Sequence, residues 1–138
     1  MALRSATRAR ARALQLLYAW EVDGRPDLEA ILPRMERLTR SEPAVFRPAA
    51  ELARGVVARR AELDALFATA AEHWRLDRLA LVDRNILRLS VYELLERRVP
   101  PKVAIDEALW LAHRFGSRQS PAFVNGVLDQ VARTLGQL

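Results

Sequence analysis

A chain of 138 residues makes one typical domain or two small ones, and 51% hydrophobic with 28% charged residues excludes a disordered chain. No cysteine means no disulfide, thiolate metal site or cysteine nucleophile. The two histidines, His73 and His113, leave little room for zinc or a histidine-based triad. The formal charge is +5, and no apolar run approaches the ~18–20 residues of a membrane span, so a cytoplasmic protein without a membrane segment is expected.

Alanine and leucine dominate, period-two alternation is absent, and the punctuation divides the chain into six or seven helices. The first runs from about Ser5 to Val22 and stops at Asp23-Gly24, with Arg25-Pro26 beyond. Asp27 then caps a helix reaching about Thr39, with a kink or early break at Pro33. Ser41-Glu42-Pro43 reads as a loop. A third helical region spans about Val45 to Trp74 and splits near Gly55 or Arg60.

Asp77 caps the next helix, which runs to about Arg97. Leu79, Val82, Ile86 and Leu89 form one apolar stripe along it, and Leu87, Val91, Leu94 and Leu95 another, so it belongs at the centre of a bundle. Val99-Pro100-Pro101 breaks the chain. Lys102 to Phe115 is a helix closed by Gly116. Ser120 caps the last helix, with Pro121 in its first turn and its end near Leu135. Asn125-Gly126 resembles a hairpin turn, but Phe123, Val124, Val127, Leu128 and Val131 keep helical spacing across it. A mid-helix glycine costs about 1 kcal/mol relative to alanine, so close approach of another helix or of a ligand is expected there.

The positive charge is not spread evenly. Arg4, Arg8, Arg10 and Arg12 precede the first acidic residue, Glu21; without those four, 18 basic face 17 acidic residues. On a helix Arg4, Arg8 and Arg12 share one stripe with Gln15, while Ala9, Ala13, Leu16, Leu17 and Trp20 form the opposing apolar arc. Arg10 falls in that arc and must overhang the core or pair with a buried carboxylate. Basic residues at a helix N-terminus oppose its dipole, which argues that they have a use. A phosphate-rich partner fits arginine's planar fork, and Tyr18 at the stripe's edge is placed to stack on a base. Asp83, Asp106, Glu107 and His113 supply no catalytic set, because no nucleophile accompanies them, and no glycine loop cradles phosphate. No catalytic residue, metal or cofactor is expected.

Several strings carry a resemblance. They are Arg8-Ala9-Arg10 leading into Ala13-Leu14-Gln15-Leu16-Leu17-Tyr18, Val82-Asp83-Arg84-Asn85-Ile86-Leu87-Arg88 with Tyr92-Glu93-Leu94, Val103-Ala104-Ile105-Asp106-Glu107-Ala108, and Phe123-Val124-Asn125-Gly126-Val127-Leu128-Asp129. In this order and spacing the chain resembles the bacterial NusB transcription antitermination factors over essentially its whole length. The resemblance implies an all-α fold of two three-helix subdomains packed roughly at right angles, here about residues 1–74 and 75–138. It also implies binding of boxA-type single-stranded RNA together with a small-subunit ribosomal protein, NusE, within an RNA polymerase antitermination complex, notably in ribosomal RNA operons. Arg8 and Arg10 carry over as RNA contacts, with Arg4 and Arg12 beside them. Tyr18 and Phe123 join the RNA or partner surface. Asp83, Arg88 and Glu93 lie on the helix where the family docks its protein partner. The family usually has asparagine at Asp106 and lysine at His113, and a more densely basic N-terminus. Two alternatives compete: the RNA-binding N-terminal domain of a ribosomal RNA cytosine methyltransferase, and a helical scaffold that binds no RNA and forms a homodimer through its first helix.

Overall fold

A computed structural model describes residues 4–70 and 79–138, and among these every regular element is a helix. In order they are α1 (Ser5–Val22), α2 (Leu28–Thr39), α3 (Pro43–Ala58), α4 (Arg60–Ala70), α5 (Leu81–Glu96), α6 (Pro101–Phe115) and α7 (Ser120–Thr134). The helices fall into two compact units that divide after Ala58. The expected dividing line near residue 74 lies outside the described residues, as do Asp77 and the side chains of His73 and Trp74. The helix expected to be capped by Asp77 starts instead at Leu81, with Ala80 at its N-cap.

The first unit holds α1, α2 and α3. α1 packs mainly on α3, and α2 touches both. Buried alanines on each partner, Ala9 and Ala13 on α1 and Ala49 and Ala53 on α3, let the two backbones approach closely. Leu16, Leu17 and Val56 fill the remaining space. α1 ends where Gly24 and Arg25 take positive φ, at 87° and 60°. The Trp20 indole closes the turn by donating to the Pro26 carbonyl at 2.8 Å. Asp27 caps α2 as expected, accepting from the Glu29 amide at 3.2 Å. Pro33 does not break α2, which continues through it. α3 starts at Pro43 rather than Val45, because a proline fits the first turn of a helix, where no N–H is needed.

The second unit holds α4 to α7, one helix more than three, because the long third region divides at Arg59 and its second half packs on α5 and α7. Leu63 and Phe67 of α4 are fully buried there. α5 is the central helix, in contact with α4, α6 and α7 and buried from Asn85 to Leu94. Two sequence expectations about α7 change. Ser120 is the first residue of α7 rather than its cap. Its hydroxyl instead accepts from the Ser117 amide at 2.8 Å and so braces the preceding turn. At Gly126 no helix approaches the side-chain position: a Cβ placed there meets nothing within 4 Å. Close helix packing therefore does not explain that glycine.

Candidate nucleic-acid interface

The buried side of α1 decides what its other side can show. Ala9, Ala13, Leu16, Leu17 and Trp20 turn into the core, which leaves Arg4, Arg8, Gln15 and Tyr18 exposed and Arg12 half-buried. At a rise of 1.5 Å per residue, Arg4 and Arg12 stand about 12 Å apart along the axis, and Tyr18 lies about 15 Å beyond Arg8. The result is a cationic strip with an aromatic ring toward its far end. No carboxylate occurs in the first turn of α1, so nothing on that turn neutralises the strip.

The strip is electrostatically strained. Burial first, and the neighbouring Arg8 charge second, pull the Arg12 guanidinium below its ordinary pKa. Arg12 donates to the Gln15 side-chain oxygen, yet its Nε is buried and has no hydrogen-bond partner among the described residues. Arg8 faces Glu42 at 3.7 Å, a distance beyond hydrogen bonding, and both side chains are exposed. Such a pair contributes little and gives way easily. Together Arg8, Arg12, Gln15, Arg40, Ser41 and Glu42 line a notch of about 200 Å³. Sequence reading missed the last three, because they lie on the loop after α2 and are brought to α1 only by packing.

Arg10 is a different case. It is 6% exposed and lies on the core side of α1, so the fold buries a side chain that the resemblance assigns to the RNA surface. Phe123 is likewise 7% exposed and belongs to the core of the second unit. Asp106 and His113, the positions that depart from the resemblance, are exposed on α6.

Residues 7–133 match the NusB family. The chain belongs to the NusB family. A curated transcription antitermination protein NusB from Anaeromyxobacter sp. (strain Fw109-5) is 48% identical over 129 residues, covering 94% of this chain and 90% of the relative. Another, from Solibacter usitatus (strain Ellin6076), is 46% identical over 132 residues, covering 95% and 90%. Among solved structures, T. maritima NusB matches with a TM-score of 0.83 at 36% identity, covering 96% of this chain and 93% of that one. A chain from the crystal structure of antitermination factors NusB and NusE in complex with dsRNA matches with a TM-score of 0.83 at 25% identity, covering 96% and 99%. These relatives are transcription factors, which sets the methyltransferase alternative aside.

The residues expected on the family's partner-docking helix prove to be inside. Asp83, Arg88 and Glu93 of α5 are 9%, 1% and 4% exposed. Arg88 donates from Nε and Nη2 to the two carboxylate oxygens of Asp64 on α4, at 2.7 and 3.0 Å, and from Nη1 to Asn85 at 3.0 Å. That bidentate fork makes Arg88 a strut between α4 and α5. In this fold its guanidinium is engaged by Asp64 and Asn85, on the helix that the resemblance assigns to partner docking. Among the described residues no group of three or more His, Asp or Glu side chains is arranged to hold a metal, and no helix is long and apolar enough to cross a membrane.

Proposed function

We propose that this NusB-family chain is a cytoplasmic RNA-binding antitermination factor that engages boxA-type RNA through the exposed face of α1. The carrying observation is the strip of Arg4, Arg8 and Arg12 on a helix with no carboxylate in its first turn, met only by the exposed Glu42 at Arg8, with Tyr18 on the same helix. Phosphates meet the three guanidinium groups, which position the strand without reading its sequence. Tyr18, 44% exposed, offers its ring to a base. Three phosphate contacts correspond to a salt slope of only about −2 for single-stranded RNA, so the chain alone binds weakly. A ribosomal-protein partner such as NusE adds a second linked contact and raises the affinity by avidity. The assembly then joins the RNA polymerase antitermination complex.

Fluorescence anisotropy with labelled boxA-like RNA, single-stranded and duplex, over a range of salt and with or without NusE, tests this. Arg8→Ala with Arg12→Ala is expected to weaken binding and flatten the slope by about 1.4. Arg10→Ala is expected to lower the melting temperature rather than the slope, because Arg10 is buried. An unchanged slope in the Arg8/Arg12 variant would sink the α1 interface.

A further inference from the structure

The notch beside α1 carries more positive charge than its known neighbours use. Arg8 and Arg12 come from α1, while Arg40, Ser41 and Glu42 come from the junction between α2 and α3. Three arginines and one carboxylate line it. Arg40 ends α2 with a left-handed backbone at φ 49°, a conformation that L side chains rarely adopt and that usually falls to glycine at a helix end. Ser41 adds a hydroxyl, and the α3 N-terminus that follows adds a favourable dipole for an anion. The one resident anion, Glu42, is 70% exposed and 3.7 Å from Arg8. It is a loose occupant. The buried Arg12 Nε, with no hydrogen-bond partner among the described residues, borders the same space.

We propose that this notch is a second phosphodiester subsite continuous with the α1 strip, in which Arg40 is a further RNA contact and Glu42 is the carboxylate that the strand displaces from Arg8. The proposal rests on the RNA-binding reading of α1 and extends it off the helix. The path of the backbone then bends from α1 onto the α2–α3 junction. Glu42 acts as a brake: it keeps the notch partly neutral without RNA and costs some affinity with it. A carboxylate so placed also disfavours loose binding of small anions.

The test uses the full chain and labelled single-stranded boxA-like RNA, with anisotropy read from low to moderate salt. Arg40→Gln is expected to weaken binding and flatten the slope by about 0.7, the share of one phosphate contact. Arg40→Lys is expected to retain the slope. Glu42→Gln is expected to tighten binding about two- to fivefold at low salt, the scale of an exposed ion pair. Both positions are exposed, and thermal melts verify that each variant is folded. If Arg40→Gln leaves the slope unchanged while Arg8→Ala flattens it, the subsite is wrong and the α1 reading stands. If neither changes it, the α1 reading fails as well. Inorganic phosphate forms the second arm. If Arg40→Gln abolishes a phosphate-induced rise in melting temperature yet leaves the RNA slope intact, the notch takes free anions rather than RNA, and the proposal is overturned.

Discussion

Replacing Asp64 with alanine removes the bidentate carboxylate partner of the Arg88 guanidinium, which is 1% exposed, and so tests whether Arg88 is a strut or a docking residue. Removing one partner of a buried ion pair costs ~3–5 kcal/mol. Two features soften that here. Asp64 is 27% exposed, so water reaches one end of the pair, and Arg88 keeps its bond to Asn85. The expected cost of Asp64→Ala is therefore about 2–3 kcal/mol. Arg88→Met keeps the apolar stem and leaves Asp64 facing water and Arg60, which lies 4.0 Å away; about 1–2 kcal/mol is expected. At roughly 3–5 °C per kcal/mol for a chain of this size, Asp64→Ala should melt about 6–15 °C lower. Thermal and urea denaturation measure this, with RNA and NusE titrations on the same samples below the transition. The reasoning is refuted if Arg88→Met melts with the parent protein but loses NusE, for Arg88 would then be serving the partner and not the fold.

The glycines separate two kinds of constraint. A Cβ at Gly116 would lie 2.5 Å from the Ser120 hydroxyl and 2.8 Å from the Ala112 carbonyl, so Gly116→Ala should destabilise by ~1–3 kcal/mol in a urea titration. A Cβ at Gly126 would meet nothing within 4 Å, and Gly126→Ala should stabilise by up to about 1 kcal/mol. If Gly126→Ala instead weakens RNA or NusE binding while raising the melting temperature, a ligand approaches that point of α7. Acid titration offers a further check. Hydrogen bonds from Arg54 and Arg59 hold the Glu29 and Glu62 carboxyls below their ordinary range, so these groups contribute stability at neutral pH that fades as pH falls below about 4. The melting temperature of a Glu29→Gln/Glu62→Gln variant should lie below the parent's at pH 7, and the gap should close as the pH falls through the acid range. A gap that widened on acidification would contradict the sign.

Much of the helical framework was legible in the sequence, since spacing and caps are local. α1 runs over the residues that periodicity assigns it, and α5 is the central helix that its two apolar stripes require. Arg10 is instructive. Its helical phase placed it in the apolar arc, whereas the family resemblance assigned it to the RNA surface; in the fold it is buried. Phe123 repeats the pattern, because its spacing with Val124, Val127 and Val131 marks a core face. Pro33 taught the opposite lesson: a local rule allowed an early break there, and the packed helix runs on through it.

Where the cationic strip lies follows from the sequence alone. Unbalanced arginines four residues apart on an amphipathic helix must share a solvent face once the other face is buried. What stands beside that strip does not follow from it. Arg8 and Glu42 are distant in the chain, and so are Asp64 and Arg88. No periodicity links them, since each pair meets only when helices close on one another. Side-chain charge is legible residue by residue, but whether a charge is spent on a neighbour or left for a ligand is a property of long-range contacts. Tertiary packing therefore decided that Arg88 is committed to Asp64, and it brought Arg40 to the edge of the strip.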